Sequence, residues 1–476
     1  MNQKTFILKL FNSLTNKVDE LELVSSKTVK IYLCGPTVYE HIHIGNLRPV
    51  IIFDVLQRLL LSLGYEVKYV HNLTDIDDKI IYKAQQENKT EFQIAQYYVK
   101  AYFQNLSNYN IIKPTFLPQV TDYIPQIQKF ISNLLYQGYA YQQENNVLFR
   151  VKDNPNYGQL SKQKMDKLKG VEIRQNAREI IQINKENIQD FVLWKSTNQG
   201  KTWNSPWGPG RPGWHTECVV FVQELFQGQT IDIHGGGSDL LFPHHENERI
   251  QYLTHNNQEL SKIWFHIGHL YWNQEKMSKS EGNVILAKDF YQKYGANTLR
   301  YLFLNTHHNQ TINFDEKLIQ KVENYLQKIK NLFKKLNFHL YMSAVENNKR
   351  EKIIKERKLT QINWQSELSK QVVKNLLNNL NTIKVFYLLE QLIYSLNKTI
   401  DLSISKGEKK PSESNNFTQN INDFYFILDI LGFKFDLPAY DLKTRLLIKK
   451  WQELRQAKRY LEADQIRKQL QEIGII

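Results

Sequence analysis

A strand–loop–helix–strand pattern near the start of the chain limits the fold more than any other feature. Residues 29–33 predict a short strand, which Gly35 and Pro36 end. Apolar residues then recur at helical spacing over 45–63, and residues 66–70 predict a second strand. Because strands joined through a helix build a parallel sheet, the pattern predicts an α/β fold that binds ligands at the carboxyl ends of its strands.

The α/β pattern resumes after an interruption. Residues 230–234 and 264–271 predict two more strands, and residues 243–254 predict a helix between them. Within the interruption, a helix leads into a hairpin over 139–151 and then into a Lys-rich polar stretch. We interpret residues 112–195 as an insertion between two halves of one sheet.

The rest of the chain has a helical pattern. Long amphipathic segments are predicted over 316–336 and 368–397, and a helix over 78–104 precedes the insertion. The polar residues 403–420 predict a linker, and residues 442–473 predict one or two helices rich in Lys and Arg. Such a helical end is either a solvated surface or an RNA-contacting one.

Length and charge narrow the class of protein. A chain of 476 residues suits three or four domains. Lys and Arg number 62 against 48 Asp and Glu, for a net charge of +14, which is typical either of a well-solvated surface or of a protein with a polyanionic partner, nucleic acid first and an anionic membrane second. There is no run of about 18 apolar residues and no targeting segment at the N-terminus, so we expect no membrane partner.

Two short motifs have the chemistry of phosphate binding. Lys276-Met-Ser-Lys-Ser280 places two cations beside small hydroxyl residues, although a basic surface loop would look similar. His43-Ile-Gly-Asn46 follows the first strand and opens a helix. There, Gly45 permits close approach of a nucleotide to the backbone, and the helix start offers free N–H groups. A purely structural histidine is the alternative for His43.

The chain has only two cysteines, Cys34 and Cys218. Two cysteines cannot form a disulfide framework in a chain of this length, so we expect a reducing compartment. Both thiols could be buried small hydrophobic groups. They could also join a His and a Glu as a four-ligand zinc set.

The stretch Phe242-Pro-His-His-Glu-Asn-Glu248 could supply those other ligands. His244 and Glu248 are four residues apart in a predicted helix and therefore share a face. By residue type alone, His245 and Glu246 are rival ligands.

The two phosphate motifs, in this order and about 230 residues apart, resemble the signature pair of class I aminoacyl-tRNA synthetases. Further stretches narrow the resemblance to the cysteinyl-tRNA synthetase family, strongly over residues 6 to about 305 and more weakly to the end. Those stretches are 33–39, 72–79, 190–195, 205–208, 210–218 and 232–248.

The resemblance implies a fold and a division of the chain. It implies a Rossmann-like α/β catalytic domain with an inserted connective domain, followed by an α-helical bundle and a small C-terminal tRNA-binding domain. The implied segments are 1–111 and 196–310 for the two catalytic halves, 112–195 for the insertion, 311–402 for the bundle, 403–420 for the linker and 421–476 for the anticodon-binding region.

The resemblance also implies a zinc site. The family's ligands fall on Cys34, Cys218, His244 and Glu248, which would hold one Zn²⁺ per chain. A thiol ionises on zinc and forms a bond of about 2.3 Å, whereas a serine hydroxyl does neither readily. The implied role of the metal is therefore to recognise substrate cysteine and exclude serine.

The remaining site residues are implied in the same way. Thr74, Trp214 and His234 would line the cysteine pocket. The expected ATP-binding residues are His43, Gly45, Asn46, Gly237, Asp239 and Lys279, with Mg²⁺ bound to ATP. Among the catalytic residues, His43, Asn46, Lys276 and Lys279 would stabilise charge on the phosphates, with no protein nucleophile.

The function expected from the resemblance is cysteine–tRNA ligation, with L-cysteine, ATP and tRNA(Cys) as partners, by a monomer. One alternative is a related ligase that passes cysteine to a small amine, and another is a non-catalytic zinc-containing RNA-binding protein. The expected location is a bacterial-type cytoplasm, or the plastid stroma if an organellar genome encodes the chain.

The chain departs from the family pattern at several points. Asn46 stands where the family has a second His, and it cannot carry charge. Residues 307–314 lack the usual Arg-Ser-Pro, and residues 378–382 have amides where carboxylates are common. The chain also ends at Ile476 without a tail that is common in the family. Anticodon reading is therefore the least supported part of the expectation.

Overall fold

The computed structural model describes residues 6–23, 28–152, 154–163, 184–273, 275–276, 284–346, 362–405, 415–435 and 440–473. The chain divides into two compact units. The first unit comprises Met1–Asp315 with Lys374–Thr382, and the second comprises Glu316–Val373 with Ile383–Ile476. The candidate zinc ligands and the His43 motif lie in the first unit.

The strands of the described residues all lie in the first unit. In chain order they are β1 (Phe6–Asn12), β2 (Lys17–Leu23), β3 (Thr28–Leu33), β4 (Glu66–His71), β5 (Ala140–Gln143), β6 (Asn146–Phe149), β7 (Phe191–Ser196), β8 (Gly210–Pro212), β9 (Ile231–Gly237), β10 (Ser261–Ile267), β11 (Leu270–Trp272), β12 (Glu275–Lys276) and β13 (Ile312–Phe314).

Helices occur in both units. In chain order they are α1 (Ile44–Ser62), α2 (Asp78–Glu87), α3 (Glu91–Asn108), α4 (Ile124–Tyr136), α5 (Trp214–Leu225), α6 (Glu246–Asn256), α7 (Ala287–Leu304), α8 (Glu316–Glu346), α9 (Glu367–Leu377), α10 (Thr382–Ser405), α11 (Asn415–Ile430), α12 (Leu442–Gln456) and α13 (Tyr460–Glu472). None of the helices, in the part of the chain described, is long and apolar enough to cross a membrane.

A four-stranded parallel sheet in the order β10-β9-β3-β4 forms the centre of the first unit. Strands β3, β4 and β9 and the helix α1 lie within a few residues of the positions predicted for them. Strand β3 pairs with β4 on one side and with β9 on the other, with Tyr32 opposite His234 and Leu33 opposite Gly235. The α/β expectation is therefore confirmed, and the two halves of the sheet meet at the β3–β9 pair.

The insertion builds its own sheet. Strands β5, β6, β7 and β8 form a four-stranded antiparallel sheet, and α4 packs beside it. Strand β8 lies at Gly210–Pro212, so this sheet extends beyond the predicted insertion boundary at residue 195. Most of the predicted Lys-rich stretch, residues 164–183, lies outside the described residues.

The strand predicted over 264–271 is two strands, because the chain forms β10 and β11 with a break at Gly268. A Cβ at Gly268 would lie 2.5 Å from the carbonyl oxygen of Gln310, so the chains approach too closely there for a larger residue. The helix predicted over 78–104 is also two helices, because Asn88 adopts a left-handed conformation with φ of 51° and ends α2.

The predicted helix over 368–397 is two helices as well. It is broken between α9 and α10, where Asn379 and Leu380 have φ of 58° and 46°. Residues 403–405 belong to α10, and α11 begins at Asn415, so helices extend into both ends of the predicted linker. Residues 406–414 lie outside the described residues.

The C-terminal region of the second unit forms two helices, one of the two outcomes predicted. Helices α12 and α13 pack on a small apolar core that includes Ile448, Ala463 and Leu470. Apolar residues on one face of each helix account for this pairing.

A buried charge network joins α1 to α7 in the first unit. Asp54 Oδ2 accepts hydrogen bonds from Arg58 Nε at 2.8 Å and from Arg300 Nη2 at 2.5 Å. Its other oxygen accepts from the backbone N–H of Ile112 at 2.8 Å, and Arg300 Nη1 donates to the carbonyl of Tyr109 at 3.0 Å. One carboxylate thus compensates two guanidinium groups that have left water.

We predict that Asp54→Asn lowers the free energy of unfolding by about 3–5 kcal/mol, because it leaves two buried cations without their anionic partner. The measurement is chemical denaturation. Glu20→Gln is the control, since the Lys9–Glu20 pair is exposed and is worth about 0–1 kcal/mol. Equal losses in the two variants would contradict the prediction.

Candidate active site

The β3–β9 pair brings the first candidate ligand to the centre of the sheet. Cys34 follows the last residue of β3, and its backbone N–H donates to the carbonyl of Gly235 in β9 at 3.1 Å. His234 lies one residue earlier in β9, and its Nε2 is 3.9 Å from Cys34 Sγ. Two segments about 200 positions apart in sequence therefore meet at the carboxyl edge of one parallel sheet.

Two helices supply the other candidate ligands. Cys218 projects from α5 and is buried. Glu248 lies in the first turn of α6, and His244 lies in a π-helical turn, Leu241–His245, that leads directly into α6, so the helix predicted over 243–254 begins with this wider turn. Their spacing nevertheless holds, since His244 Nε2 lies 2.7 Å from Glu248 Oε1.

Cys34, Cys218, His244 and Glu248 offer four ligand atoms, all within 4.8 Å of one another. The two sulfur atoms are 3.8 Å apart, and the sulfur-to-nitrogen distances to His244 are 3.8 and 3.7 Å. Tetrahedral zinc with Zn–S bonds of about 2.3 Å separates two sulfurs by about 3.8 Å. The thiol spacing therefore fits zinc.

The spacing between the other two ligands needs a small adjustment. The 2.7 Å between His244 Nε2 and Glu248 Oε1 is a hydrogen-bond distance. Ligand atoms about 2.0–2.1 Å from a tetrahedral zinc are about 3.3 Å apart, so this pair would have to separate by about 0.6 Å. A shift of that size is within the reach of side-chain rotation.

The charges of this cluster are coupled. Burial by itself raises the pKa of Glu248, but the three histidines at 244, 234 and 245 outweigh it and hold that pKa well below its usual range. Burial lowers the pKa of His244, yet Glu248 and Cys218 reverse this and raise it to about 10. The cluster thus stabilises an anionic carboxylate beside a cationic or metal-bound imidazole.

The two thiols differ in their tendency to ionise. Burial and the neighbouring Cys218 raise the pKa of the Cys34 thiol. Burial acts in the same direction on Cys218, but the Cys34 hydrogen bond and His244 outweigh it and lower its pKa. Neither cysteine is in a disulfide, so both sulfurs are available to bind a metal as thiolates.

A second set of four groups shares two members with the first. Cys34 and Glu248 also lie within 4.8 Å of His234 and His245. The rival ligand Glu246 is directed elsewhere, because its Oε2 accepts from the backbone N–H of Ser161 at 2.7 Å. Geometry therefore separates Glu246 from the cluster but leaves His245, 3.3 Å from Cys34 Sγ, within it.

Two of the predicted cysteine-pocket residues, Trp214 and His234, contact the cluster. The Trp214 ring stacks on His244 with centroids 4.2 Å apart, and His234 Nε2 contacts Glu248 Oε2 at 2.7 Å. Thr74 is buried and donates to Glu217 Oε2 at 2.9 Å, next to Cys218 in α5. Trp214 is partly exposed and packs on the imidazoles of His215 and His244.

Three buried polar residues of this region were not predicted. Glu217 accepts from Thr74, and burial raises its pKa. His215 Nδ1 lies 3.0 Å from His244 Nδ1, and His266 Nε2 lies 2.7 Å from His245 Nδ1. A histidine within an otherwise apolar segment, such as His266 in β10, was the signal in the sequence that could have identified such residues.

The His43 motif opens α1, as predicted. The side-chain oxygen of Asn46 accepts from the backbone N–H of His43 at 3.1 Å, so Asn46 caps the helix start. Lys276 ends β12, paired with Tyr271, and only its backbone is described. Lys279 lies outside the described residues.

The predicted ribose-binding residues are adjacent to each other. Gly237 ends β9, and Asp239 follows in a short helical turn with its side chain exposed. A Cβ at Gly237 would lie 2.3 Å from Asp239 Oδ1, so this carboxylate lies across the glycine. An exposed carboxylate at the carboxyl edge of the sheet can accept hydrogen bonds from ligand hydroxyls.

Comparison with known proteins agrees with this geometry. Residues 20–324 match the model of the class I (C) tRNA synthetase catalytic domain. A cysteine–tRNA ligase from Mycoplasma mycoides is 42% identical over 98% of this chain and 100% of its own length. The chain belongs to the cysteine–tRNA ligase family. A more distant member from Clostridioides difficile is 36% identical over 98% of this chain and 97% of its own length.

Solved structures support the fold. Mycobacterium tuberculosis methionyl-tRNA synthetase in complex with methionyl-adenylate matches with a TM-score of 0.58 and 15% identity, over 85% of this chain and 89% of that one. A structure described as a putative arginyl-tRNA synthetase from Campylobacter jejuni matches with a TM-score of 0.51 and 15% identity, over 84% and 91%. The class I synthetase architecture is thus confirmed.

We predict that the purified protein contains about one zinc and that Cys218→Ser lowers this content, because it removes a thiolate from the first ligand set. His245→Gln is the matched variant, since it removes a ligand from the second set only. Zinc content can be measured by atomic emission. Loss in His245→Gln with retention in Cys218→Ser would assign the metal to the second set.

Proposed function

We propose that the chain is a cysteine–tRNA ligase. It would activate L-cysteine with ATP to cysteinyl-adenylate and pyrophosphate, and then transfer cysteine to the 3′ end of tRNA(Cys). The observation that carries the proposal is the convergence of two thiols, an imidazole and a carboxylate at the carboxyl edge of a class I synthetase sheet.

Cys34, Cys218, His244 and Glu248 would hold the zinc. When bound there, zinc supplies a Lewis acid that prefers a thiolate to a hydroxyl and so distinguishes cysteine from serine. Trp214, stacked on His244, would bound the side-chain pocket. The desolvated site strengthens this discrimination, because a polar group that lacks its partner is costly to bury.

Activation would proceed by positioning and electrostatic stabilisation. His43, at the start of α1, and the lysines at 276 and 279 would stabilise charge on the triphosphate, with Mg²⁺ accompanying ATP. Asn46 would act by capping α1 and by donating an N–H to phosphate, in place of a charged group. Gly237 and Asp239 would bind the ribose.

The alternative functions differ in whether cysteine is transferred to a tRNA, to a small amine or not at all. A ligase for a small amine has no use for a C-terminal region that binds RNA, and a non-catalytic RNA-binding protein has no use for His43 with Lys276 and Lys279. The family relatives align with the chain through its helical C-terminal part, which favours tRNA. We propose a monomer in a reducing cytoplasm, where both thiols stay free.

Cysteine-dependent ATP–pyrophosphate exchange tests the first step. We expect exchange with cysteine to exceed exchange with serine by about 100-fold or more, because the site accepts a thiolate. Cys218→Ser should raise the KM for cysteine much more than the KM for ATP. The absence of exchange with cysteine would refute both ligase functions.

Cysteinylation of tRNA tests the second step. Transfer to a tRNA(Cys) transcript, and not to a tRNA with another anticodon, is the expected result. Exchange without transfer to tRNA would favour the ligase with a small-amine acceptor.

A further inference from the structure

Arg48 lies two residues after the His43 motif and is almost fully buried, with 1% of its surface exposed. Its guanidinium donates to four backbone carbonyls. Nη1 contacts the carbonyls of Gly268 and His269 at 2.6 and 2.7 Å, and Nη2 contacts those of His307 and Gln310 at 3.3 and 2.6 Å. A single side chain of α1 therefore binds two separate loops, one at 268–269 and the other at 307–310.

The environment of Arg48 differs from that of the other buried arginines. Arg58 and Arg300 share the carboxylate of Asp54, whereas no ion pair to Arg48 occurs among the described residues. Burial lowers the pKa of Arg48 to about 10. Burying a cation without a carboxylate partner costs free energy, so the four carbonyls that accept from Arg48 must be well ordered to compensate its charge.

The two loops lead into the small sheet β12-β11-β13, which includes Lys276, the first residue of the lysine motif. Gly268 and His269 connect β10 to β11, and β11 pairs with β12, which ends at Lys276. His307 and Gln310 precede β13, which pairs in parallel with β11. The loops are also joined directly, because Gly268 N–H donates to the carbonyl of His308 at 2.8 Å. Arg48 thus binds the loops that lead into the small sheet in which β12 ends at Lys276.

The chain at Ile285 and Ala287, which follows the lysine motif in sequence, is bonded to the same helix start. Ile44 N–H donates to the carbonyl of Ile285 at 3.0 Å, and Ala287 N–H donates to the carbonyl of Ile42 at 2.9 Å. Backbone hydrogen bonds therefore connect α1 with the chain that follows the lysine motif. Arg48 provides the corresponding connection on the other side.

We propose that Arg48 is a positioning residue for adenylate formation, which sets the distance between the His43 end of α1 and the backbone of Lys276 at the end of β12. This inference rests on the proposed function, because both motifs must act on one triphosphate. A misplacement of about 1 Å between catalytic groups can lower a rate about 100-fold. Arg48 itself does not contact the substrate in this proposal.

The test compares Arg48→Lys and Arg48→Met with the unmodified enzyme in ATP–pyrophosphate exchange. Lysine keeps the charge but lacks the planar fork that reaches four carbonyls. We expect kcat to fall about tenfold in Arg48→Lys and about 100-fold in Arg48→Met, with the KM for cysteine and the zinc content unchanged. If Arg48→Met fails to fold, Arg48→Lys decides the result.

Arg58→Met is the matched control, because Arg58 is a buried arginine on the same helix, about 15 Å further along its axis. It should lower the melting temperature without lowering kcat at a permissive temperature. Wild-type kcat in Arg48→Lys, or an equal loss of kcat in Arg58→Met, would overturn the proposal. Absence of exchange in the unmodified enzyme would instead refute the proposed function.

Discussion

The parallel pairing of β3 with β9 is the interaction on which the rest of the site depends. It joins two halves of a sheet that an insertion separates in sequence, and it places Cys34 beside His234. The helices that follow β8 and β9 then direct Cys218, His244 and Glu248 toward the same point. The cluster is thus a product of topology, because local structure cannot bring these segments together.

The carboxyl edge of the sheet and the start of α1 differ in burial and in the chemical groups that they present. The cluster around Glu248 is buried, and its charges are balanced within a few ångströms. The start of α1 is more open, and His43 lies there with the chain on either side of the lysine motif attached to the same helix. One site is suited to recognising a small side chain, and the other to binding a phosphate chain.

The sequence was sufficient for the elements with clear periodicity, and the family resemblance implied four ligand residues whose ligand atoms lie within 4.8 Å of one another in the structure. Hydrophobic patterns predicted β3, α1 and β4 closely. Patterns could not reveal the break at Gly268 or the turn at Asn379, because those depend on a close contact and on a local backbone conformation. The hydrogen bonds from Arg48 to backbone carbonyls could also not be predicted, because the acceptors lie more than 200 positions away in sequence.

In the proposed function, zinc held by Cys34, Cys218, His244 and Glu248 would recognise the thiol of substrate cysteine. Zinc X-ray absorption spectroscopy of the protein, with and without L-cysteine, tests it most directly. We expect two sulfur neighbours at about 2.3 Å in the protein alone and three after L-cysteine is added, with no change after serine. A sulfur number that stays at two with saturating cysteine would contradict the account.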